Sequence, residues 1–159
     1  MPTIRLRTEI RAPIERVFDL SRSIDAHVAG MEGTGERAVA GRTSGLIGLG
    51  ETVTWEARHF GVMQRLTVEI TSYDKPRSFS DEMLSGAFKS MRHLHEFSTA
   101  GDLTLMSDKF EFTAPLAIFG RLAERIFLTR YMTRFLTLRN QHLKEIAESD
   151  AWRQILPGD

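Results

Sequence analysis

The chain has 159 residues, of which 42% are hydrophobic and 26% charged, a composition typical of a folded globular domain rather than a disordered chain. Its 21 lysine and arginine residues balance 21 aspartate and glutamate residues, so we expect no basic surface for nucleic acid. Cysteine is absent, which excludes disulfides, zinc–thiolate sites and cysteine nucleophiles, and no uncharged apolar run approaches the ~20 residues of a membrane span. The sequence therefore predicts a cytoplasmic protein without a membrane span.

Apolar periodicity and turn residues predict a strand, two short helices, six further strands and one long helix, within a single domain over 1–159. In residues 3–10 apolar and charged side chains alternate, which indicates a strand with one exposed face. Pro13 suits the start of the first helix, and Ser23 or Asp25 can cap the second. The other predicted elements are helices at 13–21 and 24–31, strands at 36–41, 51–60, 62–73, 77–84, 88–99 and 102–113, and a helix at 118–148.

The last five strands are joined by short turns, and such turns join antiparallel neighbours because parallel pairs need a long crossover. The long helix carries a broad apolar stripe. A sheet that curves around one helix often leaves its concave side incompletely filled. We therefore predict an α+β fold in which a curved seven-stranded antiparallel sheet surrounds a long C-terminal helix. Two short helices follow the first strand, and an internal cavity lies between sheet and helix.

Alternation along each strand predicts which side chains face this cavity, because successive residues point to opposite faces of a sheet. The more apolar face of each strand is assigned to the inside. The inward-facing sets are Val53, Trp55, Ala57 and His59; Leu66, Val68 and Ile70; Phe79, Asp81 and Met83; Met91, His93, His95 and Phe97; and Thr104, Met106, Asp108, Phe110 and Phe112.

Histidine and aspartate side chains interrupt this otherwise apolar inner face. Pairing across the turn at 99–102 predicts that His93 lies opposite Asp108. Across the preceding turn, Asp81 falls opposite Met91 or His93. The sequence thus predicts a polar row that spans three adjacent strands.

Three interpretations of this row stay open. It can be a buried polar network in which carboxylates satisfy imidazoles, or the polar end of a ligand pocket. It can also supply a general base to a cyclase, dehydratase or isomerase, in which His93 or His95 acts with Asp81 or Asp108. Two histidines and a carboxylate can also hold a metal, but we expect too little convergence on a gently curved sheet and predict neither a metal nor a cofactor.

The loop over 41–50 lacks the glycine patterns of nucleotide-binding loops, and its apolar residues predict a lid over the cavity mouth; these are Leu46, Ile47 and Leu49. On the long helix, the apolar stretch from 126 to 138 also suggests a homodimer contact, and Phe119 is expected on the helix wall of the cavity. The predicted ligand-binding residues are Trp55, His59, Val68, Asp81, Met91, His93, His95, Phe97, Met106, Asp108, Phe110, Leu122, Ile126, Phe127 and Tyr131.

A string of motifs resembles one protein superfamily over nearly the full length. The motifs are IDAH at 24–27, GERAVAG at 35–41, SGLIGLGETVTWEARHFG at 44–61, PRSFSDEM at 76–83, GAFKSMRHLHEF at 86–97, and LTLMSDKFEF followed by Pro115. The chain is similar to the START-like or SRPBCC superfamily, and within it to bacterial ligand-binding SRPBCC domains related to polyketide cyclase/dehydrase-like proteins. This resemblance implies a helix-grip fold with a deep, mainly apolar cavity, but no particular reaction, because the superfamily includes carriers, sensors and enzymes.

The function predicted from these observations is binding or carriage of a small hydrophobic or amphipathic ligand, such as a lipid, polyketide or aromatic compound, without catalysis. The first alternative is an enzyme that acts on a polyketide-like or aromatic substrate through His93, His95, Asp81 and Asp108. The second alternative is an interaction module that recognises a protein partner through its surface.

Overall fold

The computed structural model describes residues 2–115 and 122–158. The predicted start of the long helix at 118, and Phe119, therefore lie outside the described residues. The strands are β1 (Thr3–Ile10), β2 (Arg37–Gly41), β3 (Thr52–His59), β4 (Val62–Asp74), β5 (Ser78–Gly86), β6 (Ser90–Ala100) and β7 (Leu103–Thr113). The helices are α1 (Ile14–Ser21), α2 (Ile24–Gly30), α3 (Leu122–Glu148) and α4 (Trp152–Ile155), and a 3-10 turn lies at Glu32–Thr34.

The seven strands form one antiparallel sheet in the order β1-β7-β6-β5-β4-β3-β2. α3 contacts β1, α1 and α2, so the sheet and the two short helices enclose one side of the long helix. This is the predicted helix-grip arrangement, and the fold prediction is confirmed. The 3-10 turn and α4 were not predicted, because each is too short to show a period. Among the described helices, none is long and apolar enough to cross a membrane.

Local sequence signals explain where the short helices begin. Pro13 stands just before α1, where its missing N–H leaves no hydrogen bond unmade. The Ser23 hydroxyl accepts a hydrogen bond from the backbone N–H of Ala26 and caps α2. Of the two capping residues considered, Ser23 is the one used.

The predicted inward faces are confirmed on β3 to β7, but the predicted pairing of β6 with β7 is wrong. The two strands join through a two-residue turn, Gly101 and Asp102, with Ala100 opposite Leu103. His95 therefore lies opposite Asp108, and His93 lies opposite Phe110. The error is two residues, which keeps every side chain on its predicted face but changes its partner. On the other side, Asp81 pairs with His93, one of the two predicted alternatives.

Aromatic packing closes the molecule at the end where α1 meets the sheet. Phe18 has no exposed surface, and it contacts Tyr73, Phe79 and Phe97 edge to face with ring centroids 5.3 to 5.5 Å apart. Edge-to-face contact of this kind adds to the gain from burial. This end of the fold is a filled core.

Candidate functional site

A cavity of about 460 Å³ lies between the inner face of the sheet and α3. Most of its lining is apolar, and it falls in the range of roughly 300–1,000 Å³ common for small-molecule sites. Ten of the predicted ligand-binding residues line it: Trp55, His59, Val68, Asp81, Met91, His93, His95, Phe110, Phe127 and Tyr131.

The other predicted residues lie elsewhere. Phe97, Met106 and Asp108 are buried on the inner face of the sheet but do not line the cavity. Leu122 and Ile126 are exposed, Leu122 by 72%, and also lie outside the lining. The helical stripe is broader than the strip of α3 that meets the cavity, and periodicity alone does not separate the two.

As far as the described residues show, the cavity is open at one end and closed at the other. Phe60, Phe127 and Arg65 belong to the lining and are also exposed, so the cavity reaches solvent between the β3–β4 turn and the start of α3. At the closed end, Ile24 and Ile47 belong to the lining and are buried.

The loop predicted as a lid lies at the closed end. Ile47 lines the cavity, whereas Leu46 is half-buried and Leu49 is 62% exposed, and neither of these two touches the cavity. The backbone N–H of Ile47 donates to the carbonyl of Arg22, and the Arg22 guanidinium donates to the carbonyl of Ile47. The loop thus seals the end at α1 and α2, and its movement as a lid stays a prediction.

The predicted polar row forms a compact buried cluster centred on Asp108. One oxygen of Asp108 lies 2.8 Å from Nε2 of His93, and its other oxygen accepts a 2.7 Å hydrogen bond from the Asn140 amide. Nε2 of His95 lies 3.2 Å from an oxygen of Asp81. Nδ1 of His95 is 2.9 Å from Asp108 but is not aligned for a hydrogen bond, so we treat that contact as electrostatic.

The two histidines of the cluster have opposite pKa shifts. Burial and the charge of His95 lower the pKa of His93 to about 4, although Asp108 opposes this. Burial also acts to lower the pKa of His95, but contacts with Asp108 and Asp81 outweigh it and raise that pKa. Burial opposes ionisation of Asp108, yet both imidazoles hold its pKa well below the usual value. At neutral pH, His93 is therefore neutral and Asp108 ionised.

These protonation states fix how His93 bonds. A neutral imidazole has one N–H, and beside a carboxylate acceptor that N–H belongs to Nε2. Nδ1 of His93 is then a hydrogen-bond acceptor, and it has no partner among the hydrogen bonds of the described residues. His93 lines the cavity, so this nitrogen is available to a ligand.

Asp81, His93 and His95 also have the arrangement of a metal site, since one ligand atom from each lies within 4.8 Å of the others. A metal there would have to replace the hydrogen bond between His95 and Asp81. The sequence-based prediction of no metal stays a prediction.

A second polar group lies on the β3 side of the cavity. His27 stacks on Trp55 with ring centroids 4.1 Å apart and pairs with the buried carboxylate of Glu36. Burial acts to raise the pKa of Glu36, and its contact with His27 outweighs this and lowers it. Further along β3, Nδ1 of His59 lies 2.5 Å from the hydroxyl of Tyr131.

Sequence reasoning missed the polar contribution of α3. Arg139 lines the cavity with 8% of its surface exposed, and Asn140 is 3% exposed and orients Asp108. A signal was present, because Arg139 stands four residues after Phe135 and seven after Met132 and so continues their helical face. Glu36 was also missed, and its position in the glycine-rich stretch gives no such signal.

Solved structures share this architecture. The protein TTHA0849 from Thermus thermophilus has a TM-score of 0.75 and 21% identity, covering 91% of this chain and 95% of that one. A START superfamily protein from Mycobacterium smegmatis has a TM-score of 0.71 and 13% identity, covering 92% and 97%. The major latex-like protein 151 of Panax ginseng has a TM-score of 0.65 and 15% identity, covering 93% and 98%. At these identities the likeness concerns the fold, and that fold is the helix-grip fold that the sequence resemblance implied.

The sequence itself gives the family assignment. No curated protein matches the chain. Residues 1–148 match the profile of the family described as polyketide cyclase / dehydrase and lipid transport. That match spans both walls of the cavity, from β1 to the end of α3. The chain therefore belongs to the polyketide cyclase / dehydrase and lipid transport family.

Proposed function

We propose that the chain binds and carries a small hydrophobic or amphipathic molecule, such as a lipid, polyketide or aromatic compound, and does not transform it. The observation that carries this proposal is the size of the apolar cavity, about 460 Å³. Protein interiors are normally close-packed. A cavity of this volume is far larger than the few small voids of a close-packed interior, so an accident of packing is a poor explanation.

The bonding of the polar cluster supports carriage rather than catalysis. Three of its four imidazole nitrogens already contact carboxylates within the cluster. Asp108, which would orient a catalytic histidine, also holds Asn140. A network tied up in this way gives the cavity a fixed polar wall, and Nδ1 of His93 is the imidazole nitrogen left to accept a hydrogen bond from a ligand hydroxyl.

Native mass spectrometry of the freshly purified protein, compared with the denatured sample, tests the proposal first. An extra mass that disappears on denaturation is expected. A clean protein mass, with no thermal shift across a panel of lipids, quinones and aromatic polyketides, would contradict the proposal and favour the interaction-module alternative.

Cavity filling provides a second test with a matched control. Ala57 is buried and lines the cavity, whereas Leu84 is exposed on the sheet and lies outside it. Ala57→Phe is expected to weaken binding of any panel ligand at least tenfold, because the added ring occupies ligand space. Leu84→Phe should leave binding unchanged. Trp55 lies in the cavity wall, so its fluorescence can report both titrations.

One observation favours an enzyme as second candidate. A neutral His93, oriented by Asp108 through Nε2, leaves Nδ1 to take a proton from the substrate as a general base and to return the same proton as a general acid. Such a residue would serve cyclisation or dehydration of a polyketide-like or aromatic substrate, with His95 held beside it by Asp81. In that case His93→Gln should abolish turnover of the bound substrate while its binding survives. For a carrier, the same change should alter affinity only.

The homodimer also remains a proposal. Leu122, Ile126 and Phe127 are exposed at the start of α3, and Leu138 is exposed further along it. Light scattering after gel filtration should give twice the chain mass if these side chains bury one another. The Leu138→Lys variant should then return to the mass of a single chain. The cytoplasmic location expected of a cysteine-free chain is likewise still a prediction.

A further inference from the structure

Within the part of the chain that the structure describes, Arg139 is the arginine of the cavity lining that has no ion-pair partner. It lines the cavity from α3 with 8% of its surface exposed. Among the described residues, no carboxylate oxygen lies within 4.0 Å of its guanidinium, and its side chain makes no hydrogen bond. The other two arginines in the lining are paired: Arg22 with Asp19 at 2.9 Å, and Arg65 with Glu56 at 2.8 Å.

The nearest acidic groups are already engaged. Glu36 pairs with His27, and Asp81 with His95. Arg139 acts on both carboxylates only from a distance, as one of the smaller contributions to their electrostatic surroundings. Arginine stays protonated in proteins. A buried charge without a partner is costly, and proteins normally pair it.

We infer that Arg139 receives the carboxylate of the ligand, so that the natural ligand is a monocarboxylic acid with an apolar body. This inference deepens the proposed carrier function and rests on it. A planar guanidinium matches a carboxylate in a two-pronged hydrogen bond. The lining beside Arg139 on α3 consists of Met132, Phe135 and Leu136, which suits an apolar body.

The charges around Arg139 favour a ligand head group with one negative charge over a head group with two. Glu36 and Asp81 lie on the cavity wall, and Asp108 lies just behind it. One guanidinium offsets the single charge of a carboxylate, whereas a phosphate dianion would bring a second negative charge for which the described lining offers no unpaired arginine. The ligand head is therefore a carboxylate rather than a phosphate.

The position of Arg139 also sets the orientation of the ligand. Arg139 is twelve residues after Phe127 at the open end, which at 1.5 Å per residue is about 18 Å along the helix. The carboxylate lies deep in the cavity, and the apolar body extends from it towards Phe60 and Phe127. An acid of this shape enters head first.

The test compares acids with alcohols of the same skeleton. The probes are dodecanoate against dodecanol, and 2-naphthoate against 2-naphthalenemethanol, each titrated at pH 7.5 with Trp55 fluorescence or calorimetry. The wild-type protein is expected to prefer each acid at least tenfold. Arg139→Met should weaken acid binding about 10- to 100-fold, the range of a hydrogen-bonded charge, and leave the alcohols within about threefold. Arg139→Lys should keep part of the preference for acids.

Arg134→Met is the matched control, because Arg134 lies on the same helix but is exposed and does not line the cavity. It should leave the acid preference intact. Melting curves of each variant check folding, and Arg139→Lys keeps the test decisive if Arg139→Met does not fold. If the wild-type protein bound acid and alcohol equally well, the role of Arg139 would be overturned, but the proposed carrier function would not. An acid preference that persists in Arg139→Met would do the same. No binding of any probe to the wild type would overturn the carrier function, and this inference with it.

Discussion

Aromatic side chains pack beyond the closed end of the cavity and at its open end, but to very different degrees. At the closed end Phe18 is fully buried between Tyr73, Phe79 and Phe97. At the open end Phe60 is 54% exposed, although its ring lies 4.5 Å from that of Tyr131. Ring contact alone therefore does not make a core.

This difference in packing suggests that the closed end contributes to stability and the open end to ligand binding. Burial of aromatic surface stabilises the folded state at the closed end, where no space is left. At the open end the rings stay partly in water and border the cavity, so they can move without opening the core. The polar cluster lies between the two ends. Substitutions can decide whether it contributes mainly to stability or mainly to ligand binding.

The same substitution at the two ends should give the largest contrast. Phe18→Ala removes a fully buried ring and is expected to lower the free energy of unfolding by about 4 kcal/mol. Phe127→Ala removes a ring that is 60% exposed and contacts Phe60, and it should change that free energy by about 1 kcal/mol or less. Urea unfolding followed by circular dichroism measures both. Similar losses at the two positions would show that the ends do not differ as described.

Asp108 should behave as part of the filled core although it borders the ligand site. Its carboxylate is 2% exposed and holds His93 and Asn140. Asp108→Ala leaves both without their partner, and we expect a loss of about 3 kcal/mol in urea unfolding. Asp81→Ala is the control, because Asp81 is more exposed and bonds His95 alone, so about 1 kcal/mol is expected. An unchanged free energy of unfolding in Asp108→Ala would show that the cluster contributes to ligand binding rather than to stability.

The pH dependence of stability should identify His93. A lowered histidine pKa means that the unfolded chain takes up the proton first, so the folded state loses stability as the pH falls below 6.5. Burial lowers the pKa of His59 in the same way. The raised pKa of His95 stabilises the folded state by an amount that is already complete at pH 6.5 and stays constant at lower pH. The lowered pKa values of Asp81 and Asp108 also stabilise the folded state, and this contribution is lost only below pH 3.8.

Between pH 6.5 and 4.5 we therefore expect a loss of roughly 2 kcal/mol, carried mostly by His93, whose folded pKa is about 4. Urea unfolding at a series of pH values measures it. In His93→Gln most of this dependence should vanish, whereas His59→Gln should remove a smaller part. A stability that rises towards pH 4.5 would show that His93 is protonated in the folded state.

The sheet wall of the cavity could be predicted from the sequence, and the helix wall only in part. A strand has two faces, so alternation assigned residues such as Trp55 and His93 to the inside without knowledge of the pairing. The pairing itself depended on the turn at Gly101, where an error of two residues exchanged the partner of Asp108. A helix turns by about 100° per residue, and its faces grade into one another. Arg139 was therefore not distinguished from solvent-facing arginines, and the exposed Leu122 was assigned to the cavity.

Phe60 offers the smallest and most specific test of the open end. Its backbone φ is 54°, a left-handed conformation that costs a bulky residue about 1–2 kcal/mol and glycine almost nothing. Its ring contacts Tyr131 and Phe127, and such pairs are worth about 0.5–1.5 kcal/mol. Phe60→Gly removes both effects, so we expect its unfolding free energy to stay within about 1 kcal/mol of the wild-type value.

Phe60→Asn separates the two effects, since asparagine tolerates the left-handed conformation but lacks the ring. Both variants should release a bound ligand faster in stopped-flow fluorescence, because the ring that borders the open end is gone. Release at the wild-type rate would show that the ligand leaves elsewhere. A loss of more than about 2 kcal/mol in Phe60→Gly would mean that this ring stabilises the fold as Phe18 does, since relief of backbone strain cannot destabilise it. The open end would then be a second core, and the cavity would need another entrance.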